Sequence, residues 1–181
     1  MSNIKIENIV SVAKICDALD VSLIYEKIPE SSYNPEEFNG VSIKDDEKKT
    51  AAIILYNGKI VSTGAKTIED SEKNLKKTIK KIKDIGFEIK KDYKIEIENI
   101  IVSKDLKKEM HLSSISQALI LQNIDYQPEK FPGLIFRPED LCAVVILFNT
   151  GKIVCTGTKN VDDAACAVNM MEEKLSSIGV L

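Results

Sequence analysis

The sequence predicts an α+β protein with pseudo-two-fold symmetry, built from two tandem copies of one unit. Three observations carry that reading: a repeat in register at an offset of 93 residues, the same order of strand and helix signals in each copy, and a long capped helix that closes each copy. YNPEEFNG begins at Tyr33 and YQPEKFPG at Tyr126, while GKIVSTGAK begins at Gly58 and GKIVCTGTK at Gly151. Compared without gaps, 33–66 and 126–159 share 13 of 34 positions, where unrelated sequences of ordinary composition share roughly two. The triplet IEN at 6–8 returns at 97–99 with an offset of 91. The second copy has therefore gained two residues in its early loop or first helix, where insertions are tolerated. Residues 1–91 and 92–181 are read as the two repeats of one integrated domain.

Each copy begins with an alternating strand, Ile4 to Val12 and Lys94 to Val102, followed by a short helix, Val21–Lys27 and Leu112–Leu121. Short strands are expected at Val41–Lys44 and Leu134–Arg137. Apolar runs at Ala51–Tyr56 and Ala143–Phe148 turn at Asn57-Gly58 and Thr150-Gly151 into Lys59–Thr63 and Lys152–Thr156, the pattern of a hairpin. Thr67 caps the first long helix, with Ile68, Leu75, Ile79 and Ile82 at helical spacing before Gly86. Asn160 caps the second, with Val161, Val168, Met171, Leu175 and Ile178 before Gly179.

Composition excludes several classes. Among 181 residues, 44% are hydrophobic and 29% charged, enough apolar material for a core in one or two small domains. No stretch approaches the roughly 20 apolar residues of a membrane helix, and MSNIKIENIV runs directly into alternation without an apolar signal region, so a protein retained where it is made is expected. Cys16, Cys142, Cys155 and Cys166 form no CxxC pair and sit among apolar residues, which reads as free buried thiols and not as zinc ligands or a disulfide framework. The single histidine, His111, has no catalytic partner motif around it, and is expected at a surface or a helix start. No enzyme, metal or cofactor is expected.

Lys and Arg number 25 against 28 Asp and Glu, a net charge of −3, opposite to the usual footprint of a nucleic-acid binder. The halves differ, however: residues 1–91 hold 16 basic and 15 acidic side chains, residues 92–181 hold 9 and 13. Lys73, Lys76, Lys77, Lys80, Lys81 and Lys83 form a basic strip on the first long helix, either a solvated face or a docking site.

The sheet strands are apolar on both faces. Val144, Ile146 and Phe148 point one way and Ala143, Val145 and Leu147 the other; Ile53 and Leu55 oppose Ala52 and Ile54. Two helices cover one side only, so a broad apolar face needs a partner: a second copy, another protein layer, or a flat ligand. Asn8 with Val10, Asn99 with Ile101, Val61 with Thr63 and Val154 with Thr156 add sparse polar points to that face. Such a surface suits the minor groove of A·T-rich DNA, whose base edges offer only acceptors. Phe38, Phe131 and Phe148 are candidate wedges between base steps, with a core position as the alternative.

The paired segments YNPEEFNGVSIK and YQPEKFPGLIFR, the paired GKIVSTGAK and GKIVCTGTK, and the NIVSV-like strand openings resemble the duplicated core of the TATA-box-binding protein family over nearly the whole chain. The resemblance implies a saddle: a curved ten-stranded antiparallel sheet with DNA on the concave face and helices on the convex one. It places wedges at Phe38, Leu55, Phe131 and Phe148. Groove-floor contacts fall on Asn8, Val10, Ile53, Val61, Thr63, Asn99, Ile101, Ile146, Val154 and Thr156. Phosphate contacts fall on Lys44, Lys59, Arg137 and Lys152. Pro128, Glu129 and Lys130 occupy the loop where the family meets its transcription factor B partner, which puts partner contacts on Glu129 and Lys130.

Two residues depart from the family pattern: Leu55 lacks a ring where the counterpart Phe148 has one, and Glu37 stands where a basic residue is common in eukaryotic members. The implied function is that of a general transcription initiation factor of archaeal type, cytoplasmic and chromosome-associated. It binds and kinks a TATA box and engages a factor-B-like protein and, indirectly, RNA polymerase. The alternative is an interaction scaffold that dimerises through the apolar face, which a free family member also uses to pair.

Overall fold

In the computed structural model, which describes residues 3–119 and 123–181, the chain divides into two units. One comprises Asn8–Glu98, the other Asn99–Leu181 together with Met1–Glu7. The α+β class holds, with ten strands and four helices among the described residues.

The first copy runs β1 (Lys5–Lys14), α1 (Val21–Lys27), β2 (Ser31–Tyr33), β3 (Gly40–Asp45), β4 (Thr50–Leu55), β5 (Lys59–Ala65) and α2 (Ile68–Asp84). The second repeats the order as β6 (Ile95–Asp105), α3 (Leu112–Ala118), β7 (Ile124–Asp125), β8 (Gly133–Phe136), β9 (Val144–Phe148), β10 (Lys152–Thr158) and α4 (Val161–Ser177). Neighbouring strands pair antiparallel in the orders β2-β3-β4-β5-β1 and β7-β8-β9-β10-β6.

The long helices begin where the sequence places them. The Thr67 hydroxyl accepts from the Asp70 backbone N–H at 3.1 Å, and the Asn160 side chain accepts from that of Asp163 at 2.7 Å, each satisfying one orphan donor of a first turn. Their apolar stripes then bury Leu75, Ile79 and Ile82 of α2, and Val168, Met171 and Leu175 of α4. Ile68 is the exception. It lies in the first turn and is 43% exposed.

The sheet faces toward these helices carry the core: Ala52, Ile54 and Ile60 in the first unit; Val145, Leu147 and Ile153 in the second. Several buried polar groups in these layers are paired, whereas the buried Thr50 and Thr158 hydroxyls have no hydrogen-bond partner among the described residues. Asn74 donates to the Ala51 carbonyl at 3.1 Å and the Ser62 hydroxyl at 2.8 Å, and the Ser11 and Ser71 hydroxyls meet at 2.6 Å.

Several sequence expectations are corrected. β1 and β6 run past Val12 and Val102 because their polar ends still pair in register, Lys14 with Lys59 and Asp105 with Lys152. β5 and β10 continue past Thr63 and Thr156 through a bulge. The edge strands β2 and β7 are too short to show alternation. α3 ends at Ala118, and part of the expected helix end, residues 120 and 121, lies outside the described residues.

Cys155 is buried, but Cys142 and Cys166 are exposed and Cys16 is half-buried. Apolar sequence neighbours do not bury a side chain in a turn or on the outer side of a helix. Among the described residues no cluster fit to hold a metal occurs and no helix is long and apolar enough to cross a membrane.

Candidate nucleic-acid interface

Opposite the helix-facing core, each unit presents a second sheet face whose residues are half-buried. In the first unit the register lines up Ser42, Ile53 and Val61 as one row and Lys44, Ala51 and Thr63 as the next. In the second, Ile135, Ile146 and Val154 form the matching row, and Val144 pairs with Thr156. Val10 and Ile101 are half-buried on β1 and β6. Because partners across antiparallel strands share a face, the pattern sets mostly apolar side chains in ladders, with Ser42, Thr63 and Thr156 as hydroxyls among them.

The polar points of this face are built by a β-bulge that both copies share. The β1–β5 register shifts between Ile9 and Ser11, and the β6–β10 register between Cys155 and Thr158. Each bulge holds a glycine of positive φ, Gly64 at 92° and Gly157 at 96°, a conformation that favours glycine.

At the first bulge the backbone N–H of Gly64 donates to Asn8 Oδ1 at 2.7 Å, and Asn8 Nδ2 donates to Thr63 Oγ1 at 3.1 Å. The second copy repeats this: Gly157 N–H to Asn99 Oδ1 at 2.8 Å and Asn99 Nδ2 to Thr156 Oγ1 at 2.9 Å. The bulge amide fixes which amide atom is oxygen, since only Oδ1 can accept from it. One N–H of each Nδ2 is spent on threonine, and the other makes no hydrogen bond among the described residues.

The aromatic positions form a second shared device. In YNPEEF the Phe38 N–H donates to the Asn34 carbonyl at 3.0 Å, and in YQPEKF the Phe131 N–H donates to that of Gln127 at 3.0 Å. These turns leave Phe38 46% and Phe131 37% exposed, which excludes the core alternative for both. Each ring lies over the glycine two residues on. A Cβ at Gly40 would stand 2.4 Å from Phe38 Cε1, and one at Gly133 would stand 2.7 Å from Phe131 Cε1 and 2.7 Å from Ile146 Cγ2.

Gly40 pairs with Leu55 and Gly133 with Phe148, so each copy brings its two wedge candidates to one end of the sheet face. Phe131 and Phe148 meet edge-on, their centroids 6.1 Å apart. Sequence reasoning missed Gly40 and Gly133, although F-N-G and F-P-G at the repeat offset are the signal that would have found them. It also missed Ser42, Ala51 and Ile135 on the same face.

Charge around the face is uneven. Lys44, Arg137 and Lys152 are exposed, without an ion pair among the described residues. Lys59 Nζ lies 3.5 Å from Glu98 Oε2. Glu129 and Lys130 are exposed in the turn before Phe131, and His111 is exposed at the start of α3.

The basic strip on α2 carries its own counter-charges. Lys73 pairs with Glu69 at 2.7 Å, Lys76 with Glu72 at 3.0 Å, Lys77 with Asp45 at 2.9 Å, and Lys81 with Glu30. The Lys77 and Lys81 ammonium groups hold the Asp45 and Glu30 carboxyls below the usual carboxylate range.

Comparison with known proteins matches the chain over nearly its whole length. Residues 3–85 and 94–178 each match the family model described as "Transcription factor TFIID (or TATA-binding protein, TBP)". The chain is 38% identical to the TATA-box-binding protein of Archaeoglobus fulgidus over 98% of this chain and 97% of that protein. It is 42% identical to the one from Pyrococcus abyssi over 98% and 92%. The solved structure of Methanococcus jannaschii TBP superposes with a TM-score of 0.82 at 36% identity, covering 96% of this chain and 98% of that one. A family model that matches both halves, identity of about 40% over nearly the full length and a shared fold place the chain in the TATA-box-binding protein family, a family of transcription factors and not of enzymes.

Proposed function

We propose that the chain is a general transcription initiation factor that binds a TATA box in the minor groove, kinks it, and presents the bent duplex to a factor-B-like protein and then RNA polymerase. The observation that carries this is the pair of Asn-Thr-bulge clusters, each leaving one amide donor among apolar ladders. A groove floor of A·T pairs offers only adenine N3 and thymine O2 acceptors, while a G·C pair inserts an amino donor that meets an apolar side chain or a second donor. Asn8, Asn99, Thr63 and Thr156 would bond the central pairs. Val10, Ile53, Val61, Ile101, Ile146 and Val154 would lie along the floor.

Phe38 with Leu55, and Phe131 with Phe148, would enter base steps at the two ends, where exposed apolar side chains replace lost stacking. Lys44, Lys59, Arg137 and Lys152 would neutralise backbone phosphates, so affinity falls as salt rises. The acidic total does not oppose this, because the local field at the groove governs phosphate contact. Glu129 and Lys130, exposed beside the second wedge loop, would meet the factor-B-like partner. The site of action is the chromosome, in the cytoplasm of a cell without a nucleus.

Gel shifts on a duplex series test the reading. An A·T-rich element should bind, and replacement of its central A·T pairs by G·C should weaken binding by roughly tenfold or more per pair, as for other base-edge mismatches. Affinity indifferent to central G·C pairs would overturn minor-groove recognition. Fluorescence transfer between the duplex ends should rise on binding, and no change would overturn the kink.

A further inference from the structure

Lys59 and Lys152 occupy equivalent positions in the two copies, yet their surroundings differ. Lys59, opposite Lys14 in register, has its ammonium 3.5 Å from the Glu98 carboxylate. Lys152 is opposite Asp105, whose carboxylate accepts from the Lys107 backbone N–H at 2.8 Å. The counterpart of Glu98 is Glu7, at the offset of 91. Glu7 accepts from the Ser103 hydroxyl at 2.8 Å and meets Lys5 at 3.1 Å.

Two replacements accompany the difference: Lys5, which meets Glu7, corresponds to Glu96, and the residue facing the carboxylate changes as well. Ser103 corresponds to Val12, and a valine offers no hydrogen bond. Val12, Lys59 and Glu98 line one cavity of about 360 Å³. In the second copy a serine and a lysine hold the carboxylate; in the first, a valine and a glutamate stand in their places and the carboxylate meets Lys59.

We infer that Glu98 is an internal competitor for the phosphate position at Lys59, so that the first repeat grips the DNA backbone more weakly than the second. The inference rests on the DNA-binding reading proposed above. Glu98 also offsets the repulsion between Lys14 and Lys59 on adjacent strands, which gives the carboxylate a reason to stand there in the free protein. A phosphate arriving at Lys59 must displace it, and that exchange subtracts from binding in one half only.

The test is a double-mutant cycle on an A·T-rich duplex, with dissociation constants measured across a salt series. Glu98→Gln should tighten binding by about two- to fivefold, the range of an exposed ion pair. It should also steepen the salt dependence by up to about 0.9 in the log–log slope, one further phosphate neutralised. Glu96→Gln, which removes a charge from the same cavity without freeing Lys59, measures the general field and should do less. In a Lys59→Met background the excess of Glu98→Gln over Glu96→Gln should vanish. Val12→Ser should tighten binding as well, by giving Glu98 a hydroxyl partner.

Equal effects of Glu98→Gln and Glu96→Gln, or an excess that survives Lys59→Met, would overturn the inference while DNA binding itself stands. If no protein in the set prefers the A·T-rich duplex to a G·C-rich control, it is the DNA-binding reading that fails.

Discussion

In the proposed reading Asn8 has two tasks that chemistry can separate, because its oxygen accepts from the Gly64 N–H and its nitrogen keeps one N–H beyond the bond to Thr63. Asn8→Asp keeps an oxygen for the Gly64 N–H, now at 2.7 Å from Oδ1, and lets the Thr63 hydroxyl, 3.3 Å from the same oxygen, donate instead of accept. The bulge should survive, with stability changed by no more than about 1 kcal/mol, the net value of a single exchanged hydrogen bond.

Binding should not survive. The donor to a base edge disappears, a loss of roughly 1–3 kcal/mol. A carboxylate facing groove acceptors adds an unsatisfied group worth about 1–3 kcal/mol more. A combined loss of roughly 3 kcal/mol is about a hundredfold in Kd.

Asn8→Leu provides the contrast, since it strands the half-buried Gly64 N–H and should lower stability by about 1–2 kcal/mol as well as weaken binding. Fluorescence anisotropy with an A·T-rich duplex gives the affinity and thermal melting the stability, with Asn99→Asp as the replicate in the second copy. If Asn8→Asp binds within threefold of the parent while melting unchanged, Asn8 does not present its donor to DNA.

Three further outcomes follow from the same geometry. Gly133→Ala drives a methyl to within 2.7 Å of both the Phe131 ring and Ile146 Cγ2; the exposed ring can turn aside but Ile146 must shift with its strand, so binding should fall by roughly tenfold and stability by about 1–3 kcal/mol, the cost of overpacking. Leu55→Phe places a ring opposite Gly40, and if the wedge reading holds it should raise unstacking at the first-repeat end of the element to that at the other end, read by 2-aminopurine placed at each end; equal signals before the change would refute the expectation that Leu55, lacking the ring of Phe148, unstacks its end less. Thiol labelling at pH 8 should modify Cys142 and Cys166 quickly and Cys155 only on unfolding, because Cys155 is buried and its pKa is raised to about 11 by desolvation.

The repeat at an offset of 93 was legible in the sequence, and with it the two-fold element order, both helix caps and the hairpins at Asn57-Gly58 and Thr150-Gly151. These depend on local backbone preferences and on periodicity, which neighbouring residues encode. The apolar open face was legible for a related reason: Ile53 and Leu55 alternate with Ala52 and Ile54, so one strand alone reveals that both of its faces are apolar. The exposure of Cys142 and Cys166 was misread, because apolar neighbours in sequence say nothing about which way a turn or an outer helix position points. The α2 lysine strip was legible as charge but not as a paired surface, since Asp45 and Glu30, which meet Lys77 and Lys81, come from distant segments.

By itself the sequence determined that this chain is a duplicated α+β unit with an apolar sheet face left over from its core, because duplication and periodicity are properties of order along the chain. Only the tertiary structure decided how that face is chemically armed. The bulge amide that orients Asn8 comes from Gly64, 56 residues away. The glycine that makes room for Phe38 is its near neighbour Gly40, but the strand carrying Leu55 beside it is set by β-pairing. Val12, which lines one cavity with Lys59 and Glu98, lies on another strand again. Such contacts exist only when strands distant in sequence are brought within hydrogen-bonding distance, and no local preference of the chain encodes that distance.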